Sequence, residues 1–353
     1  MDVMILRAAL LMLLVVASFR AKAADERFSV TNWNTQLASA LKSGGLKKAS
    51  GLLDVKSLEK NALICASCED KKNMTQARKV FAQGKYSAAL DLYNKVSRGT
   101  DYWFEAVEEK GWAYFRQDDL EKALAQTKTL ISPQFAEVVN SEAFFLQSLS
   151  QLKMCDYKGV FETHTLFKEK QKARIMNIQD LAKTGMNEAF TKVIAKADKF
   201  PVTLTDVSES ISSLPLMFYR DKEIQTQMLR FQVSQKGLET LKSQNASVKV
   251  QEQFQKMNAD ALALLKNRMK ELAQEETNAN FKVVQKLNLV EVEAIQRIHT
   301  DMAMGDEFYN ENKFQKVDSD KLVFMDDGRP WIDELDKYEV TSKACAKNIR
   351  RKM

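Results

Sequence analysis

Ala77-Arg78-Lys79-Val80-Phe81-Ala82-Gln83-Gly84-Lys85-Tyr86-Ser87-Ala88-Ala89 is answered 34 positions later by Gly111-Trp112-Ala113-Tyr114-Phe115-Arg116-Gln117-Asp118-Asp119-Leu120-Glu121-Lys122-Ala123. Small residue meets small residue (Ala77 and Gly111), aromatic meets aromatic (Phe81 and Phe115), and Ala89 meets Ala123. Val80 falls on Tyr114, Gly84 on Asp118, Tyr86 on Leu120 and Val96 on Leu130. A third copy follows at an offset of 37, with Ser148 on Gly111, Tyr157 on Leu120, Val160 on Ala123 and Phe167 on Leu130. Self-similarity at such a period marks stacked supersecondary units. Each unit reads as two amphipathic helices joined by a tight turn, at Gln83-Gly84-Lys85, Gln117-Asp118-Asp119 and Met154-Cys155-Asp156. The small residue lets the first helix of a pair approach the second. Tyr86, Leu120 and Tyr157 open the second helix, and Ala89 and Ala123 belong at the closest crossing. Pro133 stops the second unit, because proline lacks the N–H and clashes with the preceding turn.

The rest of the chain extends the same reading. Of 353 residues, 45% are apolar and 28% charged, with only 11 Gly and 4 Pro. So few breakers favour helices and disfavour glycine-rich phosphate loops. Leu238 to Met304 contains neither Gly nor Pro. One stripe there runs Val250, Phe254, Met257, Ala261, Leu265, Met269, Leu272, and then Ala279, Val283, Leu287, Val290, Ala294, Ile298 and Met302. With Glu276 counted as a step, the mean advance is about 3.7 residues, nearer a straight helix than the 3.5 of a left-handed coiled coil. Ser243-Gln244-Asn245-Ala246-Ser247 is a polar break of the length that joins antiparallel helices. Glu276 interrupts the stripe, so a kink, a short loop or partial solvent exposure is expected there. The fold class expected is all-α, a helical-hairpin array followed by a long-helix bundle. A separate oligomerisation rod is the alternative for the long helices.

The residue pattern of the repeat resembles the tetratricopeptide repeat (TPR). Gly111-Trp112-Ala113-Tyr114-Phe115 with Ala123 and Pro133 is the closest match, and Tyr86, Ala89 and Tyr93 fit the same template. The resemblance covers about residues 70–175. The third copy departs from it, with Val160 in place of alanine and three extra residues. A wider resemblance, to periplasmic TPR proteins of predatory and related Gram-negative bacteria, rests on Pro133-Gln134-Phe135, Cys155-Asp156-Tyr157 and Asp327-Gly328-Arg329-Pro330-Trp331. The family implies a concave groove that holds a peptide or a partner helix, and it implies no catalysis.

At the N-terminus, Met4 to Phe19 is apolar apart from Arg7, and Ala21-Lys22-Ala23 offers a cleavage site. Residues 1–23 read as a signal peptide without a lipid-anchor cysteine, which places the chain in the periplasm or outside the cell. No transmembrane helix is expected after cleavage. Export bears on Cys65, Cys68, Cys155 and Cys345. Disulfides are the default in an oxidising compartment, in any of three pairings, while buried thiols or metal and redox chemistry stay open as alternatives. The net charge of +6 is too small for a chain this long to argue for nucleic acid. The tail Lys343, Lys347, Arg350, Arg351, Lys352 reads as solvated, or as a membrane-surface contact.

The boundaries expected are 1–23 for the signal, 24–69 for an N-terminal helical segment, 70–175 for the repeats, 176–304 for the long helices and 305–353 for a C-terminal segment. Polar residues on the first helix of each pair are the candidates for the groove: Lys79, Glu109, Lys110, Arg116, Gln147 and Gln151. The aromatics Trp103, Trp112, Tyr114, Phe115, Phe144 and Phe145 read as core. No catalytic, metal or cofactor motif stands out, and His164 and His299 read as structural or surface residues. The function expected is an exported scaffold for a protein or peptide partner, of open oligomeric state and with no cofactor. The alternatives are a helical-repeat enzyme of the cell wall, with a carboxylate of raised pKa in its groove, and an oligomeric structural protein.

Overall fold

The computed structural model describes residues 27–64 and 67–300. These residues form an all-α fold, with one pair of two-residue strands as its only sheet. They divide into two compact units.

The first unit takes residues up to 66 together with 198–201 and 229–258. Strand β1 (Phe28–Ser29) pairs antiparallel with β2 (Lys199–Phe200). Helix α1 (Val30–Ala49) starts on the Ser29 side chain, which accepts the Asn32 N–H, and bends at Gly45, where φ is 59°. Helix α2 (Val55–Ala62) starts on Asp54. Asp198 knots this unit together. Its carboxylate accepts the Ser29 hydroxyl at 2.7 Å, the Thr31 N–H at 2.9 Å and the Lys236 ammonium at 3.0 Å. These bonds outweigh the cost of burial and hold the carboxyl well below its ordinary range. Lys236 lies on α11 (Lys222–Ser243), which turns back through Asn245 into α12 (Val248–Thr300). Gly237 lets α11 close on its neighbours, because a Cβ there would stand 2.7 Å from the Phe254 ring and 3.0 Å from Trp33.

The second unit takes residues 67–197, 202–228 and 259 onward. Three helical hairpins come first: α3 (Cys68–Ala82) with α4 (Tyr86–Tyr93), α5 (Trp103–Arg116) with α6 (Leu120–Leu130), and α7 (Ser141–Lys153) with α8 (Tyr157–Thr184). No strand lies between residues 77 and 167. Ala77, Ala89, Ala123, Ser148 and Val160 are fully buried. Pro133 stands three residues beyond the end of α6, on the surface.

All three turns share one geometry. Gly84, Asp118 and Cys155 take positive φ, at 75°, 62° and 61°. The residue after each donates its N–H five positions back: Lys85 to Val80, Asp119 to Tyr114 and Asp156 to Gln151. This is the Schellman closure, which satisfies carbonyls that a helix end leaves open. Asp119 and Asp156 then cap the next helix through the Lys122 and Gly159 N–H groups.

Gly111 does more than let α5 approach α6. A Cβ there would lie 3.4 Å from Cβ of Gln126 on α6, but 2.8 Å from Cδ2 of Leu146 on α7. The missing side chain therefore sets the approach of one hairpin to the next. The third hairpin differs from the others by length, since α8 runs 28 residues against 8 for α4 and 11 for α6. It ends at Gly185, with φ at 70°. Helix α9 (Glu188–Lys196) follows, and α10 (Leu204–Val207) leads through 3₁₀ turns to α11.

Helix α12 packs along the third hairpin. Val283 and Leu287 join one core with Phe144 and Phe167, and Val290 and Ala294 join another with Leu152, Tyr157 and Val160. Of the expectations at Glu276, the kink and the loop do not occur, because α12 runs through it as one helix, while the side chain keeps a small exposure. Its carboxylate is mostly buried, with one oxygen 2.7 Å from the Arg174 guanidinium and the other accepting the Leu216 N–H at 2.6 Å. The polar residue in an apolar stripe is thus one half of a buried ion pair. Removing one partner of such a pair typically costs about 3–5 kcal/mol.

The shared turn gives a direct test. A non-glycine residue at positive φ is strained by roughly 1–2 kcal/mol, while the exposed Asp118–Lys153 contact it would sacrifice, at 3.5 Å, contributes little. Asp118→Gly is therefore expected to raise stability by about 0.5–1 kcal/mol, and Gly84→Ala to lower it by a similar amount. Urea midpoints of the two variants check both signs.

Candidate functional site

A cleft of about 390 Å³ opens on the hairpin array. Its walls come mostly from the first helix of each hairpin, with Tyr93 added from α4. Arg78 on α3 and Trp112 on α5 hold equivalent places, 34 positions apart, one residue after the small residue of each repeat. Glu109 and Arg116 lie one turn to either side of Trp112, and Glu142 comes from the start of α7. Lys286 of α12 closes one side.

The cleft's charges are mostly paired. Arg78 meets Glu109 at 2.6 Å and Glu105 at 3.3 Å. Although burial opposes it, this pairing holds the guanidinium pKa above its ordinary value. The Tyr93 hydroxyl donates to Glu109 at 2.7 Å. Burial and that bond both push its pKa up. Lys286 stands 3.6 Å from Glu142 and 4.9 Å from the centre of the Phe145 ring. Arg116 is different: its side chain makes no ion pair or hydrogen bond among the described residues, and it is exposed. Trp112 is half-buried, with its ring edge-on to Phe115 at 5.6 Å and tilted against Phe145 at 5.9 Å. The cleft thus offers an aromatic floor, paired charges at its sides and one uncommitted cation at its rim.

Of the candidates, Glu109 and Arg116 line this cleft and Lys79 is exposed elsewhere on α3. Lys110 is buried. Gln147 and Gln151 lie inside the third hairpin, where Gln147 donates to the Thr163 hydroxyl at 3.1 Å and Gln151 accepts from it at 2.8 Å. Lys110 and Gln147 are 37 positions apart and so hold the same place in the repeat. Gln147 there faces the second helix of its pair, which is why it does not reach the cleft. Trp103 and Phe144 are core residues, as their apolar character requires, whereas Trp112 is at the cleft. The signal for Trp112 and Arg78 was their position next to the small residue. Glu142 and Lys286 carry no such signal, because α7 and α12 reach the cleft only in three dimensions.

Glu108, partly buried on α5, carries a carboxyl raised well above its ordinary range. Burial is the main cause, and Glu142, Glu109 and Glu105 add repulsion. A second opening, of about 410 Å³, lies beside α9. Its lysines are matched by acids, Lys192 by Glu188 at 2.6 Å and Lys196 by Glu209 at 3.1 Å, so it offers no comparable uncommitted group among them.

The fold also assembles a three-residue relay that spacing alone does not show. His164 on α8 places Nε2 3.1 Å from the Ser148 hydroxyl of α7 and Nδ1 3.2 Å from the Glu291 carboxylate of α12. The order of contacts is that of a serine-hydrolase triad. Ser148 is fully buried in mid-helix, however, so it presents no nucleophile to a substrate. The relay ties three helices instead. Among the described residues no group of His, Cys, Asp and Glu could hold a metal ion, and no helix is long and apolar enough to cross a membrane. Cys65, Cys345, the signal-like residues 1–23 and the segment 305–353 lie outside the described residues.

No protein-family model, no curated protein and no solved structure matches this chain.

The relay predicts a pH response. Burial lowers the His164 pKa, with Lys168 adding to the effect and Glu291 opposing it. A lowered pKa means that the unfolded chain binds the proton more readily. The stabilising contribution is therefore complete above about 6.5 and is lost as pH falls through the folded value. His164→Ala should cost about 2–3 kcal/mol at pH 7 and flatten this part of the stability curve. Urea midpoints between about pH 7.5 and 5 measure it; an identical slope in the two proteins refutes the assignment.

Proposed function

We propose that this chain is an exported TPR-type scaffold, and that the cleft between α3, α5 and α7 holds a segment of a protein or peptide partner. The observation that carries this reading is the cleft itself: an aromatic floor with Arg116 uncommitted at its rim, built on equivalent positions of successive hairpins. Paired side-wall charges favour a ligand with polar groups of both signs along a main chain. Exposed aromatic and arginine side chains are the types that dominate binding energy at interfaces. Residues 1–23 support export to the periplasm or beyond, and export would favour disulfides among the four cysteines. Envelope assembly is the setting that suits such a scaffold.

Capture from an envelope extract with the purified protein tests the reading. Partners held by the wild type are expected to be weakened by about 1–3 kcal/mol, or roughly 5- to 150-fold, in both Trp112→Ala and Arg116→Glu. Lys79→Glu, away from the cleft, is the matched control. Partners retained equally by all three variants place binding elsewhere.

One observation favours a second reading, an enzyme acting on the cell wall. A general acid needs a carboxyl of raised pKa, and burial together with the neighbouring Glu142 and Glu109 raises that of Glu108, which stands on α5 outside the residues that line the cleft. On this reading the purified protein releases soluble fragments from cell-wall sacculi, and Glu108→Gln lowers the release at least about 100-fold. Sacculi left intact by the wild type remove it.

A further inference from the structure

The last six turns of α12 have two apolar seams. The inner one, Val283, Leu287, Val290 and Ala294, is buried against the third hairpin. The outer one is on the opposite side of the helix and is uncovered. Phe281 is 63% exposed, Leu289 69%, Val292 50% and Ile295 41%. Such residues scattered singly need no explanation, but these share one face.

Their spacing says what kind of surface would cover them. Phe281, Gln285, Asn288, Val292 and Ile295 follow at steps of 4, 3, 4 and 3. That is the 3.5-residue period by which one helix packs along another. All five are exposed, and Leu289 flanks the line. The outer seam therefore asks for a partner helix of the same period.

Charge selects the partner and its direction. Lys282 lies on one flank near the start of the seam, exposed and without an ion-pair partner among the described residues. Glu293 lies on the same flank near the end, bonded to Arg297 at 2.8 Å yet 38% exposed. Two copies of this helix laid antiparallel about a two-fold axis bring like flanks together. Phe281 then meets Val292 of the second copy, Gln285 meets Asn288, and Lys282 comes level with Glu293. Each of these contacts occurs twice, because an isologous interface is self-complementary. The two polar residues at the centre would fix the register, as buried amides do in helical coils. A parallel pairing leaves Lys282 and Glu293 eleven residues apart, about 16 Å along the axis.

We infer that this protein forms an antiparallel dimer through residues 281–295 of α12, with the outer seam of a second copy as the occupant. The seam covers about four turns in each copy, at the small end for specific interfaces, so a dissociation constant on the order of micromolar is expected.

The test is the mass of the purified full-length protein by light scattering, from about 1 to 100 µM. The wild type is expected to move from monomer to dimer across this range. Phe281→Glu and Val292→Glu should each weaken the dimer at least tenfold. Both side chains are half or more exposed, so helical content by circular dichroism should not change. Lys282→Glu alone and Glu293→Lys alone should each weaken it, and the double variant should restore it. Within one chain the two residues are too far apart to restore each other, so rescue specifies antiparallel contact between copies. A wild type that stays monomeric at 100 µM overturns the inference. So does a dimer indifferent to Phe281→Glu and Val292→Glu, or a double variant no better than the single ones.

Discussion

The second unit depends on how closely its helices can approach. Leu146 of α7 occupies the space where a side chain at position 111 would stand, and buried alanines do the same work at positions 77, 89 and 123. Close approach matters because dispersion attraction falls steeply with a gap of even half an ångström. It also requires turns of only three residues, so each hairpin closes through a residue at positive φ. Glycine adopts that conformation freely at position 84. Asp118 and Cys155 adopt it at a cost, and Asp119 and Asp156 offset part of it by capping the next helix.

A stacked array leaves one face of its last hairpin open, and here the chain's own α12 fills it. The contacts are of two kinds. Apolar residues of the inner seam supply burial, which is strong but tolerant of sliding. The Arg174–Glu276 pair and the Ser148–His164–Glu291 relay supply direction, since each is satisfied in one register alone. A slip of one turn would strand a buried charge. The two nitrogens of Arg174 that lack a partner show that the site tolerates some unmet bonding to keep that register.

Repeat spacing made the hairpins legible, and the reason is local. The period, the small residues and the turns are all properties of short stretches, read without knowing what packs against them. The cleft was legible in part. Glu109 and Arg116 reach it, but Gln147 and Gln151 turn inward to Thr163, because a polar residue on the first helix can face either the open side or its partner helix. Polarity alone does not distinguish the two. Trp112 was hidden by the opposite bias, since an aromatic at helical spacing usually belongs to a core.

What the chain determined by itself is the three hairpins, their turns and the polar break that separates α11 from α12. Periodicity and the scarcity of breakers act within a few residues, so they are written in order along the sequence. What only the tertiary structure decided is which helix lies beside which. Glu276 interrupts a stripe when read in sequence, yet in space it meets Arg174 about a hundred positions earlier and needs no break in the helix. Ser148, His164 and Glu291 become one relay, and Lys286 becomes part of a cleft, for the same reason. Electrostatic and hydrogen-bond partners are chosen by distance in three dimensions, and no local pattern encodes that distance.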